Sequence, residues 1–473
     1  MDAANFRKLG HELIDWVADY RERLEGLPVM SPVRPGEIRA LFPKEAPRTG
    51  GGLADAIGRL DNDVVRGITH WNHPSFFAYF PGNTSYASVL ADVVASGLGA
   101  QGMSWQTSPA ATEVEEVVMD WLRQMVGLSG DWTGVVHDTA STATLCALLC
   151  ARERTSRFSQ NAAGLQGLEA PLVVYASSQG HSSIEKAALL AGFGKDNLRL
   201  IDTDDDHALR LDRLEEAIAA DVAAGRVPCA LVAAIGTTGT TAIDPLAGMV
   251  DVARKHSLWL HVDAAMAGTA MVLPECRPLW QGVEEADSLV FNPHKWMGAG
   301  FDFCAYYVRD PEHLVRVMST NPSYLKTAQD GSVTNYRDWQ IPLGRRFRAL
   351  KLWFYLLDVG VEGLQARIRR DLANAQWLRE QVDAAPEWER LAPVPLQTVC
   401  VRHVPKAHAA DEPSLTRHNL DVARRVNESG AAYLTPSVLK GRQMIRVSIG
   451  AERTERRHVE AVWTALQQAA KAS

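Results

Sequence analysis

The residues best suited to do chemistry in this chain are Lys295, in Asn292-Pro293-His294-Lys295-Trp296, and Asp263, in His261-Val262-Asp263-Ala264-Ala265. Each directly follows a short apolar run, Ser288–Phe291 and Leu258–Val262, that reads as a buried strand. Lysines ordinarily occupy solvated helix faces, so an amine at a strand's carboxyl end is unusual, although a structural role is the commoner one for a lone lysine. An aspartate that closes a buried strand is costly without a partner. A loop amide or a helix N-terminus would serve, and so would a protonated ring nitrogen. The two residues lie 32 positions apart, a spacing that suits neighbouring strands joined by one crossover. An amine able to condense with an aldehyde, facing a carboxylate able to keep a pyridine nitrogen protonated, is what pyridoxal phosphate needs to act as an electron sink.

Such a cofactor also needs a phosphate cradle. Asp138-Thr139-Ala140-Ser141-Thr142 precedes an Ala/Leu-rich helical run, Ala143–Ala151. Small and hydroxyl residues at a helix N-terminus offer amide and O–H donors together with a favourable dipole. The same residues are ordinary N-caps, and the two roles are compatible. His181 follows the apolar run Leu172–Ala176 and precedes a helix from Ser183, where an imidazole either stacks on a planar ring or serves the loop. Thr238, in Gly236-Thr237-Thr238-Gly239, either hydrogen-bonds near a cofactor or is a turn residue.

The elements that position these residues read as an α/β fold. Apolar runs at Leu172–Ala176, Leu198–Ile201, Cys229–Ile235, Leu258–Val262, Asp287–Phe291 and Phe303–Val308 alternate with helical patterns at Ser183–Ala191, Asp212–Ala224 and Pro245–His256. That alternation predicts a mostly parallel sheet flanked by helices, with ligands at the carboxyl ends of the strands. Before it stands an amphipathic helix carrying Phe6, Leu9, Leu13, Val17, Tyr20 and Leu24, with Asp2 or Asn5 as cap. After it come a long helix from about Trp353 to Asp383, strands near Leu396–Arg402 and Met444–Ile449, and a last helix from about Thr454 to Ala470. The expected division is an N-terminal helical segment (1–83), a large α/β domain (84–352) and a smaller C-terminal α+β domain (353–473).

Composition narrows the partners. The 473 residues carry 49 basic and 56 acidic side chains, a net charge of −7, which argues against nucleic acid and anionic membranes. Six cysteines form no CxxC pair and no cluster with histidine, so no metal site is expected and Cys146 and Cys150 read as small buried residues. The N-terminus lacks the basic and apolar regions of a signal peptide, and the longest apolar stretch, Ala87 to Ala100, is broken by Asp92. The expected compartment is the cytoplasm.

At this point the chain resembles the pyridoxal phosphate-dependent aromatic L-amino acid decarboxylases, the group II decarboxylases of fold type I, with a texture similar to bacterial members. The likeness spans nearly the whole length. It includes Thr69-His70-Trp71, Phe76-Phe77-Ala78-Tyr79-Phe80-Pro81, Ser104-Trp105, Ser108-Pro109-Ala110, His181-Ser182-Ser183, the Asp263 and Lys295 motifs, and Trp339 to Arg348. The resemblance implies a homodimer with shared active sites, in which the N-terminal helices pack on the partner, and decarboxylation of Trp, Phe, Tyr or DOPA to the arylalkylamine. It implies Lys295 as the Schiff-base lysine, Asp263 as the pyridine-nitrogen partner, His181 as the stacking histidine and Ala265 against the opposite ring face. Thr139, Ala140, Ser141, Asn292 and His294 would surround the phosphate, with Thr238 close by. Trp71, Tyr79, Phe80, Pro81, Gly82 and Gly344 would wall the substrate pocket, with Gln101 and Met103 reaching it from the partner subunit.

Tyr324, in Pro322-Ser323-Tyr324-Leu325-Lys326, would supply the proton to Cα from a closing loop over Thr320 to Val333. Members of the family that form aldehydes carry Phe there. Met266, Gly82, Gln101 and Met103 depart from the animal pattern of Tyr, Thr, Ile and Phe. Gly344 leaves room that a Ser would fill and favours a bulkier ring such as indole.

Overall fold

The computed structural model describes residues 1–165, 169–320, 329, 331–406 and 411–472. The chain forms two compact units, one of residues 1–81, 380–391 and 400–473, the other of residues 82–379 and 392–399. Residues 353–379 belong to the large unit, and 1–81 share a unit with 400–473. In the first unit, α1 (Ala3–Arg23) is capped by Asp2, whose Oδ1 accepts the Asn5 N–H at 2.8 Å. Its apolar stripe runs from an exposed Phe6 to a fully buried Leu24. Just beyond it, Glu25 accepts from Arg457 and lies 3.1 Å from His458 Nε2, which ties this end of the chain to the other.

The large unit begins with α2 (Tyr86–Leu98) and α3 (Pro109–Val126) and continues as β1 (Thr133–His137), α4 (Ala140–Thr155), β2 (Leu172–Ser177), α5 (Ser183–Leu190), β3 (Leu198–Ile201), α6 (Leu211–Ala223), β4 (Val227–Ala234), α7 (Leu246–His256), β5 (Trp259–Asp263), β6 (Ser288–Phe291), β7 (Cys304–Val308), α8 (Pro311–Met318) and α9 (Ala349–Ala384). The sheet order is β1-β7-β6-β5-β4-β2-β3. Pairing is parallel from β3 through β6, and β7 runs antiparallel to both β6 and β1. Two reversals make β1 run with β6, so the carboxyl ends of β1, β2, β4, β5 and β6 share one edge. Strands buried on both faces explain the unbroken apolar runs. The small residues Ala143, Ala147, Cys150 and Ala151 let α4 lie close against the sheet. All six cysteines are free and buried, as expected of small apolar side chains.

The remaining elements are β8 (Trp388–Arg390), β9 (Thr398–His403), α10 (Glu412–Glu428), β10 (Thr435–Leu439), β11 (Arg442–Ser448) and α11 (Arg456–Lys471). The four strands form a second sheet in the order β10-β11-β9-β8. α10 buries Leu415, Val422 and Val426, and α11 buries Val459, Val462 and Leu466, the spacing of amphipathic helices. Among the described residues no helix is long and apolar enough to cross a membrane.

Candidate active site

Asp263 closes β5 opposite Val290 of β6. Its Oδ1 accepts the Ala265 N–H at 3.0 Å, while Ala264 N donates to Val290 O at 2.9 Å and Asn292 N donates to Ala265 O at 2.8 Å. These bonds stitch the segment after β5 to the end of β6 and bring Asp263 beside the turn that carries Lys295. That turn, Pro293–Met297, is a single π-helical turn closed by Gly298 N donating to Pro293 O at 3.2 Å. π turns are rare and concentrate at functional sites. Burial pushes the Lys295 amine below the ordinary lysine range, and the Asp263 charge opposes that shift.

His181 lies between β2 and α5. Burial pushes its imidazole down, Asp263 pushes it up and Lys295 pushes it down, so all three groups sit within one another's electrostatic reach. Its Nδ1 accepts the Ser183 N–H at 3.1 Å and lies 2.8 Å from Ser183 Oγ. An accepting Nδ1 assigns the proton of the neutral ring to Nε2.

The cradle residues stand at the same edge. Thr139 occupies the N-cap position of α4 with extended backbone, yet its side chain makes no capping bond, and Ser141 is exposed in the first turn. First-turn amides are thereby left for another acceptor. Buried Cys304 feels the charges of Asp138, Lys295 and Asp263, which places the residue before Thr139 in the same electrostatic neighbourhood. Asn292 is buried, and its Oδ1 has no hydrogen-bond partner among the described residues. Buried His294 sits with Nδ1 2.7 Å from Phe303 O, and burial pushes its pKa down to about 4. Thr238 is exposed on the loop after β4, and buried Thr237 and Thr240 brace that loop through an Oγ1–Oγ1 contact of 3.1 Å. An amine, a carboxylate, an imidazole and uncapped helix amides fit a cofactor that has an aldehyde, a ring nitrogen and a phosphate.

The expected substrate-wall residues fall in both units. In the first, Trp71 stacks on Phe76 and Tyr79, with ring centroids 4.6 and 5.6 Å away. Tyr79 lies at φ +49°, in the left-handed region, held by its N–H donating to Thr435 Oγ1 at 2.7 Å. Phe80 stands apart from that stack, buried beneath the Arg446 guanidinium at 5.4 Å, and Pro81 is also buried. In the large unit, Gly82 is half-buried. Gln101 Oε1 accepts the Arg345 N–H at 2.6 Å, and a Cβ on Gly344 would meet Gln101 Nε2 at 3.4 Å. Met103 O accepts the Arg337 N–H at 2.9 Å. Gln101, Met103 and Gly344 thus share one stretch, anchored by the buried Arg345–Glu115 pair at 2.7 Å. Tyr324 lies outside the described residues. Sequence reasoning missed Asn83, whose side chain donates to Lys295 O at 2.9 Å. Nothing in the spacing of residues 83 and 295 points to that contact.

Residues 35–404 match the pyridoxal-dependent decarboxylase conserved domain. The chain is 40% identical to a phenylacetaldehyde synthase of Arabidopsis thaliana, over 99% of this chain and 96% of that protein. It is 39% identical to tryptophan decarboxylase 2 of Oryza sativa subsp. japonica, over 99% of this chain and 95% of that one. The crystal structure of Oryza sativa TDC with PLP and tryptamine superposes with a TM-score of 0.96 at 37% identity, covering 100% of this chain and 99% of that one. These matches do not bear on the likeness to bacterial members. On the domain match and the full-length similarity together, the chain belongs to the pyridoxal-dependent decarboxylase family.

Proposed function

We propose that the protein removes the carboxyl group of an aromatic L-amino acid of the Trp, Phe, Tyr or DOPA type as CO2 and returns the arylalkylamine. The observation that carries this reading is the placement of Asp263 at the end of β5, bonded through Ala264 and Ala265 to the end of β6 and the turn of Lys295, with His181 after β2 at the same sheet edge. Pyridoxal phosphate, when bound, supplies a ring that takes up the electron pair left as the Cα–carboxylate bond breaks. Lys295 would hold its aldehyde carbon and Asp263 would keep its ring nitrogen protonated, with His181 and Ala265 beside the ring. Thr139, Ala140, Ser141, Asn292 and His294 hold the phosphate, with Thr238 alongside. Trp71, Tyr79, Phe80, Pro81, Gly82, Gln101, Met103 and Gly344 wall the side-chain pocket, Gln101 and Met103 across the interface of a homodimer on which α1 also packs. Once CO2 has left, Tyr324 delivers a proton to Cα, and hydrogen takes the place of the carboxylate. The setting that suits this chemistry is the cytoplasm.

CO2 release from Trp, Phe, Tyr, DOPA, His and Glu tests the reading. Release from an aromatic substrate is expected, and release from Glu alone overturns it. A second reading, aldehyde formation with O2 as oxidant and loss of ammonia and hydrogen peroxide, draws support from the similarity to a phenylacetaldehyde synthase. The tyrosine at position 324 favours the amine. Tyr324→Phe is expected to move product from amine towards aldehyde, and an unchanged product ratio removes Tyr324 from proton delivery.

A further inference from the structure

The turn that carries Lys295 is held mostly from outside. The turn has two local backbone bonds, Gly298 N to Pro293 O at 3.2 Å and Lys295 N to Asn292 O at 2.9 Å, and a single π turn offers little intrinsic rigidity. A lysine amine rides on a flexible four-carbon stem, so its position is only as well defined as the backbone beneath it. Phe303 holds the turn at His294, its O accepting the His294 N–H at 3.3 Å, and three further partners hold it at Lys295, Trp296 and Met297. Asn83, fully buried, donates to Lys295 O through both Nδ2, at 2.9 Å, and its main-chain N–H, at 3.3 Å. On α9, Arg367 donates from Nη2 to Trp296 O and, at 2.9 Å, to Met297 O. One helical turn further on, Asp371 Oδ2 accepts the Trp296 Nε1–H at 2.9 Å.

The pair is costly to build, which argues for a task. Asp371 is fully buried and Trp296 has no exposed surface. Arg367 Nη1 stands 3.7 Å and Arg370 Nη2 3.5 Å from the Asp371 carboxylate and offset part of the burial of its charge, which still pushes the carboxyl up to about 6. α9 also sets how close the turn can come. Gly298 has φ +110°, and a Cβ there would lie 2.8 Å from the Tyr355 ring of α9. Neither Arg367 nor Asp371 stands in a motif that the sequence singles out.

We infer that Arg367 and Asp371 of α9 are positioning residues that act through Trp296 to set where the Lys295 amine stands relative to Asp263. The inference rests on the reading of Lys295 as the residue that holds the cofactor. Removing the clamp leaves the amine and the pocket chemically intact but lets the turn shift. Displacement of a reacting group by about 1 Å can cost up to roughly 100-fold in rate.

The test uses the full-length apo-protein with added pyridoxal phosphate. Attachment at Lys295 is followed by the visible band and by borohydride trapping with peptide mass analysis, and kcat, KM and the thermal midpoint are measured alongside. Asp371→Leu and Trp296→Phe are each expected to slow attachment and lower kcat roughly 10-fold, with KM changed less than about twofold. Asp371→Asn, which keeps an oxygen for the indole N–H, is expected to recover most of both rates. The double variant is expected to be no slower than Asp371→Leu, because the two changes break one bond. Arg369→Met, which cuts the exposed α9 pair with Glu275, is the control. The inference is overturned if the folded Asp371→Leu and Trp296→Phe proteins attach cofactor and turn over at wild-type rates, or if Arg369→Met is slowed as much. Should Asp371→Leu not fold, Trp296→Phe decides alone. A wild-type protein that is never trapped at Lys295 instead sinks the reading of that lysine, and this inference with it.

Discussion

The two edges of the seven-stranded sheet carry similar charged residues and use them differently. At the amino edge, Asp287 precedes β6. Its Oδ2 accepts the Leu260 N–H at 2.8 Å, and its two oxygens take Arg154 Nη1 at 2.5 Å and Nη2 at 3.3 Å. Arg154 also lies 4.7 Å over the Trp259 ring, Lys255 and His256 share Glu215, and Arg254 meets Glu285. A cavity of about 590 Å³ opens among these groups. At the carboxyl edge, Thr139 caps nothing, Asn292 Oδ1 has no partner among the described residues, and the Lys295 amine is desolvated. Cavity volume is therefore a poor guide to chemistry in this protein. The edge proposed for catalysis is marked by a helix start that Thr139 leaves uncapped and by the orphaned Asn292 oxygen, and the amino edge by charges that neutralise one another.

The largest effect expected from breaking this contrast comes from Lys295→Ala. Loss of the amine should lower decarboxylation by about 10³-fold or more, roughly 4 kcal/mol of barrier, with far-ultraviolet circular dichroism unchanged. Full activity in that variant would refute the assignment of the carboxyl edge. Asp263→Asn comes next. The neutral amide can still accept the Ala265 N–H, so the fold should persist while turnover falls by about 10²- to 10³-fold, in line with removing one preorganised charge from a reaction centre. A variant whose kcat stays within a factor of a few would leave Asp263 a structural cap for the turn and nothing more.

How much of this could be read from the chain alone depends on how local each signal is. The strands β2 and β4 to β7 were legible because burial on both faces demands continuous apolar runs, and their ends expose the residues that follow them, Asp263 and Lys295 among them; β3, half-exposed at the sheet edge, was legible from Leu198, Leu200 and Ile201. β1 escaped, since Thr133-Gly134-Val135-Val136-His137 holds only two strongly apolar residues. α9 was legible as a helix, but its break at Gly360, φ +68°, was not, because a glycine in a helical pattern is as often tolerated as bent. α10 went unread, its apolar residues being sparse in a run of charges. Contacts that close over long stretches of chain, such as Arg345 with Glu115 or Trp296 with Asp371, leave no local pattern at all. Thr139 taught the opposite lesson. It stands where a cap residue belongs, yet only the structure shows that its hydroxyl does not cap.

Acid sharpens the contrast at intermediate scale. Burial holds His294, at the carboxyl edge, down to about 4, and His137 and His261 are depressed likewise. A base whose folded value lies below its unfolded one is protonated first in the unfolded chain. The stability it contributes is therefore full above about pH 6.5 and lost as pH falls towards 4. For His294 the integrated effect is of the order of 3 kcal/mol at most. Urea midpoints of the apo-protein should thus fall between pH 7 and 4.5, and His294→Gln should fall less steeply over that window. Equal slopes in the two proteins would mean that the buried ring is not what acid attacks.

The smallest effect is expected at the amino edge, and it is the sharpest check on the whole comparison. Arg154→Met removes both guanidinium contacts to Asp287 and the stacking on Trp259, while Asp287 keeps the Leu260 N–H. The pair is partly exposed, so screening limits the loss to about 1 kcal/mol, and the thermal midpoint should drop by a few degrees or less. Turnover by the loaded enzyme should stay within about twofold of wild type, because the charges described at this edge are paired with one another. If Arg154→Met instead lowers kcat tenfold while the protein remains folded, the amino-edge cavity is coupled to the chemistry, and saturated pairing is no guide to where this protein works.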